Sequence, residues 1–173
     1  MDDQNQLGGG VLLSVKNNVR HDRFVLPNVV NLETIAVCLY LQNNICLLFV
    51  SCYNPTNFPI LQPDLHSVFS SFDSVVLVSD LNCKHTAWNC IFVDRNGPLL
   101  LSYCLSQNIA VNYPDHPTHF HTNFQPSVLD VALSKHCLLS KPLSVPALSS
   151  DLIPTVFTFL HFRIWSNSRL YAC

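Results

Sequence analysis

With 173 residues, 49% of them apolar and only 12% charged, the chain can bury one sizeable core and is not a solvated tail or linker. A net charge of −2, built with only nine Lys and Arg, excludes a globally basic nucleic-acid binder, so any such contact has to rest on local groups. The polar start Met1-Asp-Asp-Gln-Asn-Gln6 has neither a basic nor an apolar signal region, and the apolar stretch Ile35–Tyr53 is broken by Gln42-Asn-Asn44, too soon to span a bilayer. A soluble, intracellular protein (cytoplasmic or nuclear) with no clear protein partner is expected.

In chain order, Gly8-Gly-Gly10 leads into Val11–Lys16, a short apolar run expected to form a strand. Two β-rich runs, Glu33–Leu41 and Ile45–Tyr53, flank the Asn-containing turn and predict an antiparallel hairpin. Asn54–Pro59 is turn-rich. Leu61, Leu65, Val68 and Phe72 recur at helical spacing, so 61–72 is expected to be a helix. Ser74–Val78 reads as a buried strand that delivers Asp80 at its end. Asn96-Gly-Pro98 opens a second helix over Leu99–Gln107, with proline tolerated in the first turn. Shorter strands are expected at Ile109–Asn112, Val128–Ser134 and Ile153–Phe159. Strands outnumber helices and several are apolar on both faces, a pattern that suits two packed sheets covered outside by helices. A single domain over 1–160 is expected, and 161–173 continues no recognisable pattern.

Eight cysteines, at 38, 46, 52, 83, 90, 104, 137 and 173, show no C-x-x-C spacing and lie mostly in apolar runs. They read as small hydrophobes in a reducing compartment rather than as a disulfide framework.

Three acidic residues lie in or just beyond apolar strands: Asp80, Asp130 and Asp151. A carboxylate there costs free energy unless something pairs with it. For each the plain alternative is a turn-capping Asp, although Asp130 falls in mid-strand, where turn chemistry does not apply.

The order of segments is more informative than any one of them. Gly8-Gly-Gly-Val11 is followed by Ser51-Cys-Tyr-Asn-Pro55, then Ser79-Asp-Leu-Asn-Cys-Lys-His85 with Trp88, then Asn96-Gly97. Asn112-Tyr-Pro-Asp-His-Pro-Thr118, Val128-Leu-Asp130 and Ser149-Ser-Asp151 complete the series. From about Gly8 to about Phe159 it resembles the apurinic-endonuclease-like domain of jockey-type non-LTR retrotransposons, within the endonuclease/exonuclease/phosphatase superfamily.

That resemblance implies a four-layer αββα sandwich of the DNase I-like type and cleavage of DNA phosphodiesters with Mg2+ or Mn2+. It implies that Asp80 activates the attacking water, that Asn82 positions water and phosphate, and that Tyr53 contacts the phosphate. It places Asp151 on the metal side of the site and makes Asp130 the partner of a catalytic histidine. It puts Lys84 and His119 on the substrate side. A hard cation takes oxygen ligands and neutralises charge developing on the phosphate.

The sequence also departs from the family. Leu152 stands at the histidine position, and loss of a positioned acid–base group typically costs ~10²–10⁴ in rate. The resemblance finds no counterpart here for the two strands carrying the family's Asn and metal-binding Glu, so the domain is expected to lack its amino-terminal strands. Glu33 matches a different strand and reads as solvent-facing. Ser79 and Leu81 replace the usual Gly and Phe.

Among other constellations, His116, His119 and His121 suggest zinc but want a fourth ligand. For Lys84, a phosphate contact and a plain surface role stay open, while Trp88 reads as a buried loop anchor and Cys83 as packing. The expectation is an endonuclease-derived domain with little or no activity. The alternatives are a non-catalytic phosphate- or nucleic-acid-binding module and a phosphoesterase acting on small substrates.

Overall fold

The computed structural model describes residues 10–41, 45–120, 125–145 and 153–159. Its centre is a six-stranded sheet in the order β1-β2-β3-β4-β6-β5, formed by β1 (His21–Phe24), β2 (Glu33–Tyr40), β3 (Cys46–Tyr53), β4 (Val75–Asp80), β5 (Ala110–Asn112) and β6 (Asp130–Lys135). The expected β2–β3 hairpin is present and antiparallel, with Glu33 opposite Tyr53 and Tyr40 opposite Cys46. Between β3 and β4 the pairing is parallel, which requires a crossover, and helix α1 (Gln62–Ser70) supplies it. A second small sheet pairs β7 (Leu143–Ser144) with β8 (Thr155–Val156), extended by a bridge between Leu139 and Phe159.

Strand alternation gives the large sheet two different faces. On one, Leu48, Val50, Cys52, Val75, Leu77, Val131 and Leu133 form a core with residues of α1 and of α2 (Asn96–Ser106). Helix α1 contributes Leu65, Val68 and Phe69, and α2 contributes Leu100, Tyr103 and Cys104, all at helical spacing. On the other, Val37, Leu39, Leu47, Phe49, Val76, Val78 and Ala132 meet Leu139 and Phe157 beside the second sheet. Three layers of the expected sandwich are therefore seen among the described residues: helices, large sheet and small sheet.

Buried Asp64 ties α1 to the entry of β2. Its carboxylate accepts the backbone N–H groups of Val30, Asn31 and Leu32 at 3.1, 2.8 and 3.3 Å, so the buried charge is matched by donors.

Several sequence expectations need correction. Residues 11–16 form no strand, because they have no ladder partner among the described residues, although Leu13 and Val15 pack on the inner core. β1 was not expected. It is a short edge strand carrying His21, Asp22 and Arg23, and charge on an edge suppresses further pairing. Cys38 and Cys46 are disulfide-bonded rather than free thiols. The hairpin register makes them diagonal neighbours on one face, with Cα atoms 6.3 Å apart, within the range of about 4.4–6.8 Å that a disulfide spans. Cys52, Cys83, Cys90, Cys104 and Cys137 are free, and burial pushes the Cys104 thiol up to about 12. Among the described residues no helix is long and apolar enough to cross a membrane.

Candidate active site

Four polar residues stand in one register row across the sheet: Glu33 opposite Tyr53, Tyr53 opposite Asp80, and Asp80 opposite Asp130. Directly opposed residues project to the same side, so all four lie at one end of the inner face, beyond the apolar Val78 and Ala132. The sequence reading of Glu33 as a solvent-facing strand residue is thereby corrected. It is half-buried, and its charge helps to raise the pKa of Tyr53.

After Asp80 the chain turns sharply. Asn82 has φ +46°, a left-handed conformation that Asn tolerates better than most residues. The turn brings the Asn82 N–H to 2.9 Å from Asp80 Oδ1 and lets Asn82 Nδ2 donate to the Asn54 carbonyl at 2.8 Å. The Asn82 side chain is also close enough to the Tyr53 phenol to oppose the rise in its pKa. Fully buried Asn54 closes the cluster. Its N–H donates to the Asp80 carbonyl at 3.1 Å, and its Nδ2 donates to the carbonyls of Leu81 and Phe58 at 3.2 and 3.3 Å. Its Oδ1 is buried without a protein partner. Sequence reasoning gave Asn54 only a turn role, because Asn before Pro is already a sufficient turn signal.

Thr118, the last residue of the Asn112–Thr118 motif and one given no role of its own, holds the Asp130 side of the row. Its Oγ1 accepts the N–H groups of Leu129 and Asp130 at 3.2 and 3.3 Å, which sets it close to the Asp130 carboxyl. Its carbonyl accepts the Ile153 N–H at 2.8 Å, and the neighbouring His119 pairs with Ser127. Fully buried Thr118 thus links the His119 loop, the start of β6 and, through its carbonyl, the segment ahead of β8.

Burial dominates the electrostatics. It raises the Asp130 carboxyl to about 6, aided by repulsion from Asp80 and opposed by the Thr118 hydroxyl. Burial also raises Asp80, opposed by the Asn82 N–H and by the positive charges of His119 and Lys84. The Tyr53 phenol is raised by burial, then by Asp80 and Glu33, which keeps it a protonated donor at neutral pH. The row therefore offers a phenol donor, an amide and two opposed carboxyls, one of which exchanges its proton near neutrality.

Trp88 is fully buried and donates from Nε1 to the Cys83 carbonyl at 3.1 Å, so it anchors the loop as expected. Cys83 is buried and packs in the helix-side core. Lys84 Nζ sits 4.7 Å from the centroid of the Phe92 ring. Gly97 is required where α2 meets this loop, because a Cβ there would lie 2.1 Å from the Lys84 carbonyl oxygen.

Asp151, Leu152 and His121 lie outside the described residues. Among the described residues no three His, Cys, Asp or Glu side chains converge as metal ligands, and His116 is exposed. Asp80 and Asp130 oppose each other, and two carboxyls do not by themselves make a cation site. The described donors do not fit a resident metal.

Helices, a mixed six-stranded sheet, a smaller sheet and a polar row at the inner-face edge define a DNase I-like α/β sandwich. The chain is similar in structure to the endonuclease domain of TRAS1, a telomere-specific non-LTR retrotransposon, with TM-score 0.73 at 18% identity, over 87% of this chain and 72% of that one. It is less similar to the mannosyl-6-phosphatase Bt3783 of Bacteroides thetaiotaomicron, with TM-score 0.51 at 10% identity, over 75% of this chain and 56% of that one. No curated protein sequence matches. The profile of the Endonuclease-reverse transcriptase family matches residues 47–155, and the chain belongs to that family.

Proposed function

We propose that the chain is the endonuclease domain of a non-LTR retrotransposon, that its polar row receives a DNA phosphodiester, and that turnover has been lost in this copy. The observation that carries this reading is the register alignment of Tyr53, Asp80 and Asp130, closed by Asn82. In that arrangement the Tyr53 phenol donates to a phosphoryl oxygen. Asp80, when ionised, accepts a proton from an attacking water, and Asn82 orders both. Lys84 supplies positive charge on the substrate side, and His119 lines the same side. Asp151 is assigned to the side of a divalent cation, Mg2+ or Mn2+, by resemblance alone, and no step here depends on it. Leu152 supports the loss of turnover, because leucine can neither carry a proton nor donate a hydrogen bond.

The test pairs supercoiled-plasmid nicking in magnesium or manganese with retention on DNA at low ionic strength. Retention without nicking is expected. Nicking that disappears in Asp80→Ala would overturn the loss of turnover, and absence of retention would overturn DNA as the ligand. Hydrolysis of a chromogenic phosphoester without DNA retention would replace this reading with a small-substrate phosphoesterase.

A further inference from the structure

Beside the polar row the surface changes character. Ile91, Phe92 and Val93 are consecutive and exposed, at 66, 43 and 46%, and Phe58 on the neighbouring loop is 46% exposed. Folding normally buries side chains of this kind, and here they project from a loop held on three sides. The Asp94 N–H donates to the Lys84 carbonyl at 3.0 Å. Arg95 Nη2 donates to the Asn57 carbonyl at 3.1 Å, and Asn96 Nδ2 donates to the Phe58 carbonyl at 3.3 Å. The loop after Asp80 and the loop after Tyr53 are thus clamped together, with the apolar residues facing outward.

Two cations flank this rim. The Lys84 ammonium lies over the Phe92 ring and is close enough to Asp80 to lower its pKa. Exposed Arg95 carries the second cation. Asp94, between them in the chain, is turned inward, where its Oδ1 accepts the N–H groups of Asn96 and Gly97 at the start of α2, at 3.0 and 2.8 Å. A fixed apolar wedge between two cations, adjoining carboxyls able to face a phosphodiester, suits a polyanion with flat apolar faces. A protein or lipid partner would leave that adjacency unexplained.

We propose that Phe58, Ile91, Phe92 and Val93 form a DNA-docking wedge against which a base next to the bound phosphodiester is unstacked, while Lys84 and Arg95 take the flanking phosphates. This rests on the reading of the polar row as a DNA site. Apolar side chains placed against base steps are a general means of opening a duplex, and a stacked aromatic ring tolerates any base.

The test uses the full chain and a short duplex carrying 2-aminopurine, followed by anisotropy and by 2-aminopurine emission. Wild type is expected to bind at low salt and to raise the emission. The double variant Ile91→Ala/Phe92→Ala should bind about tenfold more weakly and lose the rise in emission, with an unchanged circular dichroism spectrum, while Phe92→Tyr keeps both signals. Lys84→Ala and Arg95→Ala should each reduce the salt dependence of binding by about one unit of slope. Equal affinity and equal emission in the double variant would overturn the wedge and leave the DNA site standing. No binding by wild type would remove the DNA site, and the wedge with it. A double variant that alters self-association in sedimentation, with DNA binding unchanged, would reassign the rim to contact between copies.

Discussion

The two faces of the large sheet follow different rules. The helix-covered face is apolar along almost its whole length, and Trp88 and Leu100 are fully buried in its core. The inner face begins in the same way, with Val76, Val78 and Phe49, but ends in Glu33, Tyr53, Asp80 and Asp130. One face is organised for burial, whereas the other gives up apolar burial at one end to carry half-buried ionisable groups. Changes on the first should therefore cost stability, and neutralising changes at the end of the second should return some.

The largest effect expected from this contrast is on the helix side. Trp88→Ala should destabilise the fold by about 3–5 kcal/mol, because it leaves a cavity and strips the Cys83 carbonyl of its donor. A urea titration measures this, and a midpoint shift smaller than that of an exposed substitution would break the contrast. Asp130 should behave in the opposite way. Its folded-state pKa of about 6 lies above the ordinary carboxyl value, so the native state binds the extra proton. The stability this contributes is complete below about pH 4 and is lost as pH rises through about 6. Asp130→Asn should flatten that decline and stabilise the protein by about 1–3 kcal/mol at pH 7.5. Melting curves of both proteins at pH 4.5 and about pH 7.5 decide the point, and parallel losses in the two would refute it. The smallest effect sharpens the comparison from within the helix-covered face. Ser79 shares the side of Val75 and Leu77, and its buried hydroxyl has no protein partner. Ser79→Ala should be neutral to about 1 kcal/mol stabilising, and a clear loss of stability would mean that a water satisfies the hydroxyl.

Much of this molecule was legible in the sequence because its cues are local. Leu65 and Val68 at helical spacing fixed α1, Pro98 near a first turn fixed the start of α2, and the runs ending at Tyr53 and Asp80 fixed β3 and β4. Trp88 read correctly as an anchor, since a tryptophan amid loop residues has few other ways to avoid water. What escaped depends on distant partners. The Val11–Lys16 run has the composition of a strand but no neighbour to pair with among the described residues. Nothing in Thr118 itself shows that it will receive Leu129 and Asp130 and reach Ile153. The Cys38–Cys46 bond needs the hairpin register before it becomes visible.

By itself the sequence determined which segments are apolar, where they stop, and which acids and amides stand at their ends, because periodicity and turn chemistry act over a few residues. Only the tertiary structure decided that positions 33, 53, 80 and 130 share one row. Register between strands is set by whole faces closing over two cores, and a slip of one residue would have turned every one of those groups to the helix side.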